Sequence, residues 1–129
     1  MQKGFLKIGF ILGALAVALG AFGAHGLKKI VPPEAVDVFE TAARYQMYHA
    51  LALIAAGFLY KENQHKAIIW AGRFFIAGTI FFSGSLYIMA VVWPNAGKLG
   101  MITPLGGTFF IIGWVLLALA AGQAMQRES

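Results

Sequence analysis

Apolar residues fall into four long runs separated by short polar stretches. The runs cover residues 5–24, 42–60, 67–92 and 103–124, approximately. Each is close to the ~20 residues that a helix needs to cross the hydrocarbon of a bilayer. The pattern predicts an all-α integral membrane fold, a four-helix antiparallel transmembrane bundle forming one domain over residues 1–129. The first run follows Lys3 and Lys7, as the core of a secretion signal would. Its apolar stretch is longer than such a core, so it is read as a span.

The connections refine this picture. In GLKKIVPPEAVDVFE, Lys28 and Lys29 suit the negative end of a helix dipole, and Pro32 and Pro33 stop the first helix. Pro33 fits a first helical position. From Pro33 to Lys61 only Gly57 interrupts the helical pattern. One helix over that stretch would be roughly 43 Å long at ~1.5 Å per residue, against ~30 Å of hydrocarbon. Glu34 to Thr41 should therefore project into the headgroup layer or form a short interfacial helix. KENQHK implies a tight hairpin between the second and third helices. WPNAGKLGMITP is rich in turn residues, with Trp93 as an interface anchor and Pro104 in the first turn of the fourth helix.

Composition agrees. The chain is 60% hydrophobic and 12% charged, where a soluble domain has about 25% charged residues. Its mean hydropathy is +0.75. The absence of cysteine excludes disulfides, thiolate metal sites and cysteine nucleophiles. The net charge of +5 is spread over loop ends, which suits lipid headgroups and gives no nucleic-acid patch. With four spans both termini share one side. That side carries Lys3, Lys7, Lys61, Lys66 and Arg127, and the other Lys28, Lys29 and Lys98. The bias places both termini in the cytoplasm.

Four motifs carry the polar and glycine residues. ETAARYQMYHA heads the second span with Glu40, Arg44, Tyr45, Gln46 and His49. Glu40 and Arg44 are spaced as an i,i+4 ion pair, which would lower the cost of an Arg entering the bilayer. His49 lies deeper and needs a partner, which Tyr45 or a neighbouring helix can supply. Its alternatives are a packing residue, a proton carrier or a substrate contact. On a helical wheel Gln46 points away from the Glu40–Arg44 face. GAFGAHG closes the first helix. Gly20, Gly23 and Gly26, after Gly9 and Gly13, allow close helix approach or a glycine cap, with His25 at the end. FSGSLY, late in the third helix, brings Ser83, Gly84, Ser85 and Tyr87, with Gly84 and Tyr87 on the face of Arg73. ITPLGG opens the fourth, with Thr103 as cap and Gly106 and Gly107 thinning the first turn. Hairpin connectivity puts all four motifs in one leaflet. His25, Glu40, Arg44, Tyr45, Gln46, His49, Tyr87 and Thr103 are the candidate polar site. No spacing suits a metal ion, a phosphate loop or a nucleophile elbow, so no metal and no cofactor is expected.

GAFGAHGL, AARYQMYHALAL, FSGSLY and ITPLGG followed by GW together resemble the small membrane-protein family known as domain of unknown function 423, related to vertebrate transmembrane protein 256. The resemblance covers nearly the whole chain. It implies a four-helix inner-membrane protein with no established activity, and it supplies no catalytic residues. A looser similarity links VFETAARYQMYHALALI to the second helix of membrane-associated glutathione- and eicosanoid-metabolism proteins, which assemble as trimers around interfacial sites. Glu40, Arg44, Gln46 and His49 would echo that motif. The fourth helix has no arginine before Arg127, which argues against thiol activation of that kind.

Three functions follow as expectations. The first is a non-enzymatic homo-oligomeric structural or accessory protein, embedded in membrane lipids. The second is a small transporter or channel with a polar site in one leaflet. The third is an interfacial binder or enzyme for a lipid or amphiphile, with Arg44 holding an anionic head group.

Overall fold

A computed structural model describes residues 2–95 and 97–128. Helix α1 spans Gln2–His25, and a single 3-10 turn at Leu27–Lys29 follows it. Helix α2 spans Pro33–Glu62. The third rod is built in three parts: α3 at Lys66–Gly78, a π-helical turn at Thr79–Ser83, and α4 at Gly84–Val91. Helix α5 spans Leu99–Glu128. No strand occurs among the described residues.

Several starts and stops follow from local chemistry. Pro33 takes the first position of α2, where its missing N–H costs nothing, and the helix runs unbroken through Glu34–Thr41. There is no separate interfacial helix. His65 Nδ1 accepts from the Ala67 N–H at 2.9 Å and so caps α3. At the end of α1, Gly26 has φ −73°, so it is not a left-handed cap; the chain tightens into a 3-10 turn. Gly26 is small for another reason, because a Cβ there would lie 2.9 Å from the ring of Phe22. Helix α5 begins at Leu99, earlier than the expected start near residue 103. Pro104 therefore lies inside the helix, and Thr103 is not its cap.

Three helical segments, Gly4–Lys29, Lys66–Val91 and Leu99–Gln123, are long and apolar enough to cross a membrane. The sequence pattern predicts four. Helix α2 falls short of the apolarity of the others because Arg44, Gln46, His49 and two tyrosines interrupt its first half. It is also the helix with the longest series of buried residues, from Ala35 through Gly57. The least apolar rod thus carries the longest buried series, and its Gln46 and His49 face protein while Arg44 and Tyr48 face outward.

The rods alternate in direction. Gly9 faces Ile54 and Gly23 faces Phe39, so α1 and α2 are antiparallel. Phe39 meets Tyr87 and His49 meets Phe75, which sets the third rod antiparallel to α2. Gly106 faces Phe82 and Gly113 faces Phe75, which sets α5 antiparallel to the third rod. The end of α1, the start of α2, the end of α4 and the start of α5 consequently share one end of the bundle. A large core of Phe5, Leu53, Ile68, Phe75, Phe110 and Leu117 fills the other half. A smaller core of Leu27, Ala35, Phe39 and Ala90 closes the motif-bearing end.

The glycines divide by what surrounds them. A Cβ at Gly9 would meet the Ala50 carbonyl oxygen at 3.0 Å, and one at Gly23 would meet Phe39 at 2.9 Å. Gly13, Gly20 and Gly107 have room for a Cβ at ordinary contact distance. A Cβ at Gly84 would face open space. Gly78 and Gly113, which the motifs did not single out, seat the rings of Phe110 and Phe75.

The closest approach to another segment's backbone is at Gly106, where an added Cβ would collide with the backbone of Phe81 and Phe82. Those residues lie in the π turn. A π turn adds one residue to the helix and rotates everything after it by about 100° relative to an unbroken helix. Arg73 and Tyr87 therefore do not share a face as the wheel predicts. The Arg73 guanidinium lies 4.8 Å from the Trp70 ring centre, while Tyr87 turns toward α2.

Gly106→Ala should destabilise the bundle by about 1–3 kcal/mol, the cost of overpacking against rigid backbone. Gly107→Ala, next in sequence, should leave stability within about 0.5 kcal/mol, as substitutions away from tight contacts do. Thermal unfolding of both variants in one detergent checks the pair. A matching fall in Tm for the two would show that the Gly106–Phe82 contact is absent.

Candidate functional site

Between the two apolar cores lies a layer of polar side chains, and each has a partner. Gln46, buried on the inner face of α2, donates from Nε2 to the Leu12 carbonyl at 2.8 Å. Its Oε1 accepts from the Tyr87 hydroxyl at 2.7 Å. One amide thus ties α1, α2 and α4 together. Phe39 packs edge-on against the Tyr87 ring and holds it in place. Ser83, at the end of the π turn, donates to the Ala42 carbonyl at 2.8 Å, although that carbonyl already serves α2. Thr79 returns its hydroxyl to the Phe75 carbonyl at 2.8 Å, supporting a turn whose regular bonding is altered. Ser85 and Thr103 join α4 to α5 through a 2.6 Å hydrogen bond between hydroxyls. No buried side-chain nitrogen or oxygen lacks a partner among the described residues.

His49 occupies the meeting point of α2, α3 and α5. Its ring stacks on Phe110 with centres 3.5 Å apart and planes 8° from parallel. The Trp114 indole N–H donates to His49 Nε2 at 3.1 Å. An indole nitrogen can only donate, so Nε2 carries the lone pair and Nδ1 the hydrogen. Nδ1 then donates to the Tyr45 carbonyl at 2.7 Å. The imidazole is a neutral Nδ1–H tautomer with both nitrogens engaged. In this arrangement it has no free nitrogen for base catalysis or for a metal. Among the described residues, no group of three or more His, Asp or Glu side chains is placed to hold a metal ion.

Beside His49 a groove of about 590 Å³ opens on the flank of the bundle between α2 and α5. Tyr45 and Tyr48 form one wall, Phe110, Ile111 and Trp114 the other, with Phe82 at the back. Gly107 contributes by having no side chain, and the Thr108 hydroxyl turns inward to the Pro104 carbonyl at 2.9 Å. Tyr48 and Trp114 are about half exposed, at 49% and 48%. The lining is therefore almost wholly aromatic and aliphatic, as ligand sites commonly are.

The structure sorts the eight candidate residues into separate places. Gln46 and Tyr87 meet in the central network. Tyr45 and His49 line the groove. Thr103 bonds Ser85. Glu40 is partly buried near Gly23, and Arg44 is exposed, with no ion pair between them in the structure. The expected i,i+4 pair is therefore not formed, and Arg44 stands free on the outer flank of α2. His25 is exposed at the end of α1. It lies beyond the level of Phe39, itself roughly 15 Å from His49 along α2 at ~1.5 Å per residue. The two histidines do not form one site.

Trp114, Phe110, Phe82 and Tyr48 were not among the candidates. One signal was available for Trp114. Membrane tryptophans gather at the two interfaces, and Trp114 falls in the middle of α5, where its N–H requires a partner.

A bundle of apolar helices with its polar groups satisfied internally is the construction of an α-helical membrane protein. Comparison with known proteins agrees and identifies the family. The profile described as protein of unknown function DUF423 matches residues 19–107. The chain is 46% identical to the UPF0382 membrane protein YwdK of Bacillus subtilis, over 93% of this chain and 97% of that protein. It is 48% identical to the UPF0382 membrane protein SAB0533 of Staphylococcus aureus, over 89% and 95%. A UPF0382 membrane protein of Haemophilus influenzae is 37% identical over 92% and 93%. No solved structure matches. The chain belongs to the DUF423 family of membrane proteins.

The Gln46–Tyr87 bond is open to a double-mutant cycle with Gln46→Leu and Tyr87→Phe. Polar pairs inside membrane bundles couple by about 0.6 kcal/mol on average and about 1.7 kcal/mol at most. Unfolding of the two single variants and the double variant in mixed micelles should give a coupling in that range. A coupling of zero would mean that the α2–α4 bond does not form.

Proposed function

We propose that this protein crosses the membrane four times and works by binding, holding the apolar part of a membrane amphiphile in the groove between α2 and α5. The observation that carries the reading is the aromatic groove of about 590 Å³ on the flank of an otherwise satisfied bundle. The buried polar groups Gln46, Ser83 and His49 are each engaged within the chain, which supports a ligand surface at the groove rather than a polar path through the bundle.

The fourth crossing rests on packing. Helix α2 lies against α1 from Gly9–Ile54 to Gly23–Phe39 and reaches α5 at Asn63–Ala120. A helix running the length of spanning neighbours shares their depth. The surplus of Lys and Arg at the end bearing the termini and the Asn63–His65 turn supports cytoplasmic termini in the cell membrane.

A second reading, a homo-oligomeric structural or accessory protein, draws on the outer face of α1, where Phe10 and Val17 are exposed at 58% and 63%. Such a face suits either lipid or a second copy.

Because the chain has no cysteine, single cysteines report topology cleanly. A membrane-impermeant maleimide should label Lys29→Cys and Asn95→Cys in intact cells and spare Gln64→Cys. Equal labelling of Lys29→Cys and Gln64→Cys from outside would overturn the four-crossing arrangement.

Binding is tested by native mass spectrometry from mild detergent. The unaltered protein should carry an adduct of lipid mass. Gly107→Leu, which places a side chain in the groove, should reduce the adduct severalfold. An unchanged adduct in the variant would remove the groove from consideration.

A further inference from the structure

The groove has two ends of different character. At one end stand Tyr45 and Pro104, next to the start of α5 and the exposed Arg44. At the other stand His49, Ile111 and Trp114. From Pro104 to Trp114 the wall advances ten residues, roughly 15 Å at ~1.5 Å per residue. Half of the ~30 Å hydrocarbon layer is the same length. A groove of one leaflet's depth, open sideways along the flank, has the dimensions of a single acyl chain lying parallel to the helices.

The outer end supplies a charge. Arg44 precedes Tyr45 and stands one turn from Tyr48 toward the end of the bundle, so it lies above the groove mouth. It is exposed, and no carboxylate pairs with it in the structure. Glu40, one turn further out, has its Cγ 3.7 Å from the position of a Cβ on Gly23, which aims it toward α1. Asp37, two turns out, is exposed. A guanidinium at the polar end of an apolar groove matches a phosphate joined to an acyl chain, and its fork geometry suits phosphate oxygens. The hydroxyls of Tyr45 and Tyr48 make no hydrogen bond within the chain, and both residues follow Arg44 along the groove wall, where the ester region of a phospholipid would follow its phosphate.

We infer that the groove holds one acyl chain of an anionic phospholipid drawn from the surrounding bilayer, with the lipid phosphate at Arg44. The inference rests on the proposal that the groove binds a membrane amphiphile and adds the class of that amphiphile. The bilayer is the source because the mouth opens on the flank, where Tyr48, Ile111 and Trp114 face outward.

Trp114 reports the occupant directly. Trp70→Phe with Trp93→Phe leaves it as the sole tryptophan. Brominated acyl chains quench indole fluorescence on contact. In phosphatidylcholine bilayers with a minor fraction of brominated lipid, brominated phosphatidylglycerol should quench Trp114 with about fivefold higher apparent affinity than brominated phosphatidylcholine. That ratio corresponds to one basic side chain acting on an anionic headgroup. Arg44→Gln should bring the ratio to one, and Arg44→Lys should retain most of it while the helical circular dichroism stays unchanged. Equal quenching by the two lipids in the unaltered groove would overturn the anionic class and leave an amphiphile groove in place. Quenching that Gly107→Leu does not reduce, or no quenching by either lipid, would overturn the groove reading together with the inference.

Discussion

A polar group enclosed among apolar helices must find its partner inside the protein, and helix α2 is where this chain meets that constraint. Gln46, His49 and the carbonyls of Ala42 and Tyr45 take part in bonds that reach α1, α4 and α5 or close on α2 itself. Unsatisfied, the side chain of Gln46 or His49 would cost several kcal/mol in an apolar medium, on the order of the whole net stability of a small domain. Satisfied, they fix the register of three neighbouring rods against a fourth. The arrangement explains why the least apolar helix carries the longest buried series. It also explains why the outer helices are free to be nearly featureless oil.

The π turn serves the same constraint from the other side. An unbroken helix over residues 66–91 would not present both Phe75 to His49 and Tyr87 to Gln46 in the observed directions. The extra residue at Thr79–Ser83 re-aims the second half of the rod, and Gly106 accepts the bulge by lacking a side chain. Glycines at helix contacts are usually argued from small size alone. Here Gly106 has a specific counterpart, the widened backbone at Phe81–Phe82, whereas Gly107 beside it in the motif has room for a Cβ at ordinary contact distance. A motif rich in small residues therefore mixes positions that packing requires with positions it does not.

Much of the architecture was legible because its cause is periodicity and length. Pro33 as the start of α2, the short turn after Glu62 and the gathering of the four motifs at one end all follow from where apolar runs begin and stop. Features decided by atomic contact between distant segments were not legible. The Glu40–Arg44 pair has ideal spacing yet is not formed, because Glu40 leans toward Gly23. The wheel that put Tyr87 with Arg73 assumed an unbroken helix. Thr103 resembles a cap by composition, but the helix begins at Leu99 and its hydroxyl goes to Ser85. Of the eight polar candidates, Gln46 and Tyr87 met in the central network, Tyr45 and His49 met at the groove, Thr103 went to Ser85, and His25, Glu40 and Arg44 joined none of these.

The position of His49 shows what its ring is engaged with. An imidazole in a membrane invites a proton-transfer reading, and its isolation in sequence strengthens that invitation. Its surroundings argue the other way. A ring stacked at 3.5 Å on Phe110, bonded at one nitrogen to Trp114 and at the other to Tyr45, is held in one tautomer and one orientation. Its value is then geometric: it orients the Trp114 indole, whose face forms part of the groove wall. Two polar side chains satisfy each other so that a wall of aromatic surface can face outward without an unpaired N–H. That is a means of building an apolar outer surface from residues that are not themselves apolar, and it places His49 in service of that surface.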